Sequence, residues 1–232
     1  MTTRREELER SLAAVRRRIA EACARSGREP GSVRLLAVTK TFPASDVELL
    51  AGLGCADVGE SRDQEARPKR EQVAGALRWH MIGQVQRNKA RHVAGWADVV
   101  ESVDRPELAD VLAAAARQLG RRLEVLIQVS LDAGGAGGRG GVPPTGLLPL
   151  AEHITGLPEL DLAGVMAVAP LQGDAGAAFG RLQSAHAELL AAVPSASVVS
   201  AGMSADLEAA IAHGATQVRL GGALLGNRPA LK

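Results

Sequence analysis

The sequence predicts an α/β fold, a single (β/α)8 barrel of the TIM type with an extra N-terminal helix. Strand-like and helix-like segments alternate between residues 33 and 220, and eight apolar runs have the length of strands. Near-continuous apolar strands separated by helices are typical of parallel strands buried on both faces. Eight such units favour closure into a barrel. The 232 residues suit one barrel, and we expect residues 1–232 to form a single domain.

The first predicted element is an amphipathic helix over residues 3–27. Leu8, Leu12, Val15 and Ile19 recur at spacings of three and four, which places them on one helical face. Glycine and proline residues directly after this segment end the helix. We expect its apolar face to pack on the barrel.

Strands and helices alternate after that helix. The predicted strands are 33–38, 55–58, 78–82, 97–101, 123–129, 160–168, 196–200 and 216–220. The predicted helices between them are 44–53, 61–75, 86–94, 105–119, 144–156, 174–192 and 204–213. The strands at 55–58 and 97–101 have the weakest patterns. An open doubly wound sheet is the alternative, but no Gly-x-Gly-x-x-Gly pattern follows the first strand.

Net charge, apolar runs and cysteine spacing narrow the range of functions and locations expected for this protein. The net charge of +1 carries no signature of nucleic-acid binding. No apolar run has the length of a membrane span, and the N-terminus lacks the apolar region of a signal peptide. Cys23 and Cys55 lie far apart and indicate buried thiols in a reducing compartment. We therefore expect a cytoplasmic protein that binds neither nucleic acid nor membrane.

The segment that follows the seventh strand carries helix-terminus signals. Ser204 has the character of an N-cap, and Asp206 and Glu208 would lie in the first helical turn, where negative charge suits the helix dipole. Gly214 would end that helix as a C-cap glycine. A second turn follows the eighth strand, where Gly221 and Gly222 let backbone N–H groups approach a bound anion.

Two strand-to-helix turns after the last two strands are where (β/α)8 barrels hold phosphate groups, and the alternative is two ordinary loops. Lys40 follows the first strand, where partial burial would lower the pKa of its amine and make it a nucleophile toward carbonyls. The alternative is a lysine that extends into solvent. Arg219 lies inside the last strand and needs a partner there, unless that strand faces the surface. A lysine with a phosphate site is the pattern of pyridoxal 5′-phosphate (PLP) held as a Schiff base.

Other polar residues have simpler interpretations. His80, within the third strand, is expected to be a hydrogen-bonded core residue rather than a titrating site group. Gln86, Asn88 and Lys89 open a helix, where capping and solvation account for them. Arg139 lies in the glycine-rich segment 132–141 and is either a mobile anion clamp or part of a flexible surface loop.

The chain resembles a known family over nearly its whole length, from about Arg34 to Arg228. The segments that carry the resemblance are LLAVTK, DVGES, RWHMIGQVQRNKAR, LEVLIQV, LAGVMAVAP and SAGMSADLEAAIAHGATQVRLGGALLGNR. They are similar to the pyridoxal-phosphate homeostasis proteins, the single-domain relatives of the alanine racemase N-terminal barrel. The patterns GMSxDxExAIxxG and IGxxQxNK are its most specific parts.

The resemblance implies a PLP site. It implies that Lys40 carries the cofactor as an aldimine, that Ser204 and the backbone of Gly221 and Gly222 hold the phosphate, and that Arg219 faces the pyridine nitrogen. Two further residues fall in matching motifs and are assigned to cofactor binding, Ser61 in DVGES and Met203 in GMSAD.

Three departures from the family pattern concern this site. The family usually has asparagine in place of Ser61, threonine in place of Gly222, and lysine in place of Arg139. A glycine at 222 lacks the threonine hydroxyl, so we expect weaker or differently hydrated phosphate binding. An arginine at 139 keeps the charge but forms no aldimine.

The resemblance also implies a role as a cofactor carrier that buffers PLP and helps supply apo-enzymes, without robust catalysis. Arg219 has only donors, so it would leave the pyridine nitrogen unprotonated and weaken the electron sink. The chain has no tyrosine to act as the opposite-face base of a racemase, and with its end at Lys232 we expect no second domain to supply one. A small PLP-dependent racemase or lyase, and a sugar-phosphate isomerase, remain open. We expect a monomer.

Overall fold

The structure, a computed structural model, describes residues 2–132 and 140–226. Eight parallel strands form a closed barrel in sequence order, and β1 pairs with both β2 and β8. The strands are β1 Arg34–Val38, β2 Asp57–Glu60, β3 Arg78–Met81, β4 Val99–Val103, β5 Leu123–Gln128, β6 Leu160–Met166, β7 Val198–Ser200 and β8 Gln217–Leu220. The predicted barrel is confirmed.

The helices surround the barrel. They are α1 Arg4–Arg25, α2 Ala44–Gly52, α3 Asp63–Gln72, α4 Ala90–Trp96, α5 Pro106–Gln118, α6 Leu147–Thr155, α7 Ala175–Ala192, α8 Leu207–Ala212 and α9 Gly222–Leu225. Short 3-10 turns precede α4 and α6. Within the described residues, no helix is long and apolar enough to cross a membrane.

The two weakest predicted strands begin two residues later than the patterns indicated. The N–H of Cys55 is bonded to the carbonyl of Leu50 at the end of α2, and the N–H of Ala97 is bonded to Val93 in α4. Residues that still satisfy the last turn of a helix are unavailable to a sheet ladder. Strands β2 and β4 therefore start only at Asp57 and Val99.

The predicted N-terminal helix is present as α1, with Thr3 and Glu6 forming a capping box. Its face carrying Val15 and Ile19 packs into a cluster with residues of α8 and β8. At one edge of this contact, Arg18 Nε lies 2.6 Å from Glu208 Oε1 of α8. The extra helix thus covers the outer side of the last two β/α units.

The prediction that Ser204 caps α8 is wrong. The helix starts at Leu207, and Asp206 holds the N-cap position without a side-chain capping bond. The Asp206 carboxylate instead accepts the N–H of Met203 at 2.6 Å, which tightens the preceding turn and leaves Ser204 exposed. The prediction for Gly214 is confirmed, because this residue has φ +89° after the helix and Ala215 N–H bonds back to Ala210.

Candidate functional site

Lys40 lies two residues beyond the end of β1, at the mouth of the barrel formed by the carboxyl ends of the strands. Side chains alternate along a strand, and Leu36 is paired in register with Asp57 of β2 and Arg219 of β8, so its side chain shares their interior side of the wall. The same alternation carries Val38 and then Lys40 to the interior side. The Lys40 side chain is half-buried.

A buried group of charges holds the chain just before Lys40. The hydroxyl of Thr39 donates to Glu60 Oε1 at 2.7 Å, and Lys69 Nζ donates to the same oxygen at 2.8 Å and to the Thr39 carbonyl at 2.9 Å. We call Thr39, Glu60 and Lys69 the outer cluster, because they lie between the strands and α3. Burial raises the pKa of Glu60 above its ordinary value, although Lys69 opposes the shift. Glu60 Oε2 is buried and has no hydrogen-bond partner among the described residues.

The chain just after Lys40 is strained and anchored. Thr41 has φ +70°, a conformation that L side chains adopt at a cost of about 1–3 kcal/mol. Its N–H donates to Glu65 Oε2 at 3.0 Å. With Thr39 fixed on one side and Thr41 on the other, Lys40 is carried on a rigid turn rather than on a flexible loop.

Arg219 is buried inside the barrel, as the prediction of a partnered arginine required. Its Nη1 donates to the carbonyl and the hydroxyl of Ser200 at 2.7 and 2.9 Å, and its Nη2 donates to the carbonyl of Ala167 at 2.8 Å. Burial lowers the pKa of Arg219, and the charges of Glu101 and Asp206 oppose that shift. The Nε–H and one Nη2 hydrogen make no hydrogen bond with the described residues, so two donors remain for a ligand.

His80 is a buried core residue, as expected, but its partners were not predicted. Its Nδ1 lies 2.7 Å from Glu101 Oε1 and its Nε2 lies 3.0 Å from Asp57 Oδ1. Burial disfavours the imidazolium, yet the two carboxylates raise the pKa of His80 above its ordinary value. The same contacts hold the pKa values of Asp57 and Glu101 below theirs, against the effect of burial.

These side chains continue across the barrel as one hydrogen-bonded set. Glu101 Oε1 also accepts from Gln217 Nε2, and Glu101 Oε2 accepts from the Ser200 hydroxyl, both at 2.7 Å. We call this set the inner network; its members are Asp57, His80, Glu101, Ser200, Gln217 and Arg219. One feature of the sequence could have indicated this network. Charged or titratable residues occupy buried positions of three successive strands, and these residues are Asp57, His80 and Glu101.

The loop after β8 packs against the end of β1. A Cβ atom at Gly221 would lie 3.2 Å from the Val38 carbonyl oxygen, so a larger residue would have to push these two closely packed segments slightly apart. This approach brings the start of α9 next to the segment that leads to Lys40. Gly202, in the neighbouring loop, accepts the N–H of Arg219 at 2.9 Å.

Unpaired donors follow both of the last strands. Among the described residues, no acceptor is found for the backbone N–H groups of Ser204 and Ala205 after β7, or for those of Gly222 and Ala223 after β8. Ser204 and Met203 are exposed on the first of these loops. Adjacent backbone N–H groups without acceptors, on two neighbouring loops, are suited to bind an anion.

Ser61 follows β2 at the same end of the barrel, and Gly83 packs directly on its backbone carbonyl. Ser61 borders a groove of about 370 Å³ that Gln84, Gln86 and Lys89 also line. The structure therefore brings the IGxxQxNK segment beside Ser61. Arg139 lies outside the described residues.

Comparison with known proteins identifies the family. The family model described as the alanine racemase N-terminal domain matches residues 11–229. A protein of Mycobacterium tuberculosis H37Rv named pyridoxal phosphate homeostasis protein is 44% identical over 245 residues, covering 97% of this chain and 94% of that protein.

The chain belongs to the pyridoxal phosphate homeostasis protein family.

Solved structures are also similar to this chain. The structure of PipY of Synechococcus elongatus PCC7942 with PLP bound has a TM-score of 0.79 and 34% identity, covering 90% of this chain and all of that one (100%). An alanine racemase of Corynebacterium glutamicum, at 15% identity and a TM-score of 0.72, shares the fold alone.

Two departures from the pyridoxal phosphate homeostasis family pattern now have a structural setting. A Cβ atom at Gly222 meets nothing within 4 Å, so the threonine that the family usually carries has room there. Ser61 is only half-buried at the rim of the groove, where a longer asparagine side chain would extend toward the open space.

Proposed function

We propose that this protein binds pyridoxal 5′-phosphate and serves PLP homeostasis as a carrier and buffer of the cofactor. The observation that carries the proposal is the convergence of three features at one end of the barrel. The three features are a lysine on a rigid turn, a buried arginine with uncommitted donors, and two loops with unpaired N–H groups. They lie on, or directly after, β1, β7 and β8, which are neighbours in the closed sheet.

The chemistry of these groups matches the cofactor part by part. The two free donors of Arg219 suit an acceptor, and the unprotonated pyridine nitrogen is one. The N–H groups of Ser204, Ala205, Gly222 and Ala223 suit a phosphate dianion. The amine of Lys40 suits the aldehyde, because attack of Nζ on the carbonyl carbon replaces C=O by C=N and releases the oxygen as water.

We assign the remaining predicted residues to the walls of this site. Ser204 Oγ, exposed and without a hydrogen bond among the described residues, is assigned to the phosphate together with the backbone of Gly221 and Gly222. Met203, next to it, and Ser61, across the barrel mouth, are assigned to cofactor contacts. The similarity to PipY with PLP bound supports the assignment.

A carrier role follows from the charge next to the ring. PLP acts as a strong electron sink when a carboxylate keeps its pyridine nitrogen protonated. Arg219 is a permanent donor, and Glu101, the carboxylate nearest in the network, is engaged by His80, Ser200 and Gln217. The environment therefore favours holding PLP over activating it.

We further propose that the protein acts as a monomer in the cytoplasm and delivers PLP to apo-enzymes that depend on it. Two free, buried cysteines are typical of a reducing compartment. The exposed loops at the barrel mouth give a recipient enzyme access to the cofactor end of the molecule.

The test is an absorbance spectrum of the purified protein with PLP, before and after borohydride, followed by mass mapping of the modified lysine. We expect a visible band that borohydride removes, with the label on Lys40. Lys40→Ala should lose the band and keep the fold, whereas Lys89→Ala, at the rim of the same mouth, should keep both. A band that survives in Lys40→Ala would refute the assignment. Turnover with D- and L-amino acids that depends on Lys40 would favour a racemase or lyase instead.

A further inference from the structure

The inner network has a fixed direction of hydrogen bonding. A carboxylate only accepts, so His80 donates from both ring nitrogens, one to Asp57 and one to Glu101. An imidazole that donates twice is an imidazolium. The buried charges therefore alternate from Asp57 through His80 and Glu101 to Arg219, and they sum to zero.

Glu101 also decides how the Ser200 hydroxyl is oriented. Because Glu101 Oε2 cannot donate, the Ser200 hydroxyl must give its hydrogen to it, at 2.7 Å. The lone pairs of Ser200 Oγ are then left to accept from Arg219 Nη1 at 2.9 Å and from Gln217 Nε2 at 3.1 Å. If the Ser200 hydroxyl hydrogen pointed toward Arg219 instead, it would face an Nη1 hydrogen, and two donors would repel each other.

This arrangement fixes the plane of the guanidinium. Ser200 holds Nη1 through two oxygens, and the Ala167 carbonyl holds Nη2. A planar group held at two nitrogens has no rotation left about its long axis. The two uncommitted donors of Arg219 therefore point in one direction, which the network sets.

We propose that Glu101 is a positioning residue for Arg219, acting through the Ser200 hydroxyl, and that His80 keeps Glu101 in its charged form. The proposal rests on the proposed function, because it assigns to Glu101 the alignment of Arg219 with the pyridine nitrogen of PLP. Glu101 itself contacts no cofactor atom in this account; its contacts are His80, Ser200 and Gln217.

The experiment compares PLP with its 1-deaza analogue, in which a C–H group replaces the ring nitrogen. Dissociation constants of both are measured for the wild type, Glu101→Gln and Asp46→Asn. Asp46 is a buried carboxylate that pairs with Arg4 outside the barrel, so it controls for the loss of a buried charge. We expect the wild type to bind PLP about tenfold more tightly than the analogue, the size of a hydrogen bond from a charged donor.

Glu101→Gln should remove most of this preference, because an amide can donate to Ser200 Oγ and turn its hydroxyl toward the guanidinium. Asp46→Asn should keep it. A purely structural role of Glu101 would weaken the binding of both ligands equally and leave their ratio unchanged. A folded Glu101→Gln protein with the wild-type ratio would overturn the proposal.

Two further outcomes separate this inference from the proposed function. If Glu101→Gln does not fold, Ser200→Ala carries the same expectation, and an unchanged ratio in that variant overturns the proposal. If the wild type shows no preference but borohydride still labels Lys40, the positioning role is wrong while PLP binding stands. If the wild type binds no PLP, the proposed function fails and the inference fails with it.

Discussion

The outer cluster and the inner network place charges on opposite sides of the same barrel wall. Their buried carboxylates differ in the number of hydrogen bonds they accept and in the direction of their pKa shifts. In the inner network, the carboxylate oxygens of Glu101 have three hydrogen-bond donors, and the pKa of Glu101 is held low. In the outer cluster, Glu60 has two donors on one oxygen and none on the other, and burial raises its pKa.

The difference shows what each set of charges positions. The outer cluster holds a backbone segment, and one oxygen of Glu60 is enough to bind Thr39 and Lys69. The inner network holds a side chain in one orientation, which requires that every member have a defined donor and acceptor role. We therefore expect the inner network to tolerate substitution less well than the outer cluster.

The largest expected effect is in the inner network. Glu101→Leu would leave the buried charges of His80 and Arg219 without their shared carboxylate, at a cost of about 3–5 kcal/mol of unfolding free energy. Urea denaturation of the variant and the wild type measures the difference. A loss below about 1 kcal/mol would mean that the network is not formed as described.

Lys69→Met tests the outer cluster and should cost less, about 2 kcal/mol, because Glu60 can take up a proton once its cation is removed. The double variant Glu60→Gln/Lys69→Met should recover part of the loss, since no buried carboxylate remains. Urea denaturation of the single and double variants supplies the comparison. If Lys69→Met destabilises the protein more than Glu101→Leu does, the ranking of the two sets is wrong.

The carboxylates of the two sets should change the free energy of unfolding in opposite directions as the pH changes. The pKa of His80 is raised, so its contribution is complete below pH 6.5 and is lost as the pH rises through the folded-state value, at up to about 1.4 kcal/mol per pH unit. Asp57 and Glu101 have lowered pKa values, so their contributions are complete above pH 4.5 and are lost in acid. We expect the inner network to stabilise the fold most between pH 4.5 and 6.5.

Thermal unfolding of the wild type and His80→Gln across pH 5 to 9 tests this expectation. The difference in stability between the two proteins should shrink above pH 6.5. Glu60 acts in the opposite sense to Asp57 and Glu101, because its raised pKa makes stability fall as the pH rises above 4.5. A stability difference that does not change with pH would argue against an imidazolium at position 80.

The smallest expected effect is a change in PLP affinity caused by substitutions in the loop after β8, which neither set of charges restrains. Gly222→Thr adds a hydroxyl in open space and should tighten PLP binding by about 5–10-fold if it reaches the phosphate. Equilibrium dialysis against PLP measures the change. Gly221→Ala is the matched variant and should weaken binding, because its Cβ would press on the Val38 carbonyl.

Much of the fold could be predicted from the order of apolar and amphipathic segments along the chain. Alternating apolar strands and amphipathic helices predicted the closed barrel, and the three-and-four spacing of Leu8, Leu12, Val15 and Ile19 predicted α1. The sequence-based predictions were wrong where two neighbouring residues could each set the start of a helix. Ser204 has the chemistry of an N-cap, but Asp206 is placed to bond Met203 N–H, and that turn delays the helix.

The sequence by itself determined the barrel and placed Lys40 just after the first strand and Arg219 within the last one, because apolar periodicity and the order of segments along the chain can be read from short stretches. Only the tertiary structure decided that Asp57, His80 and Glu101 meet inside the barrel and that Ser200 links them to Arg219. Those residues are up to 162 positions apart in the chain (219 − 57), and their contact depends on the register of strands across a closed sheet. Register is set by the packing of the whole barrel, so no local pattern records it.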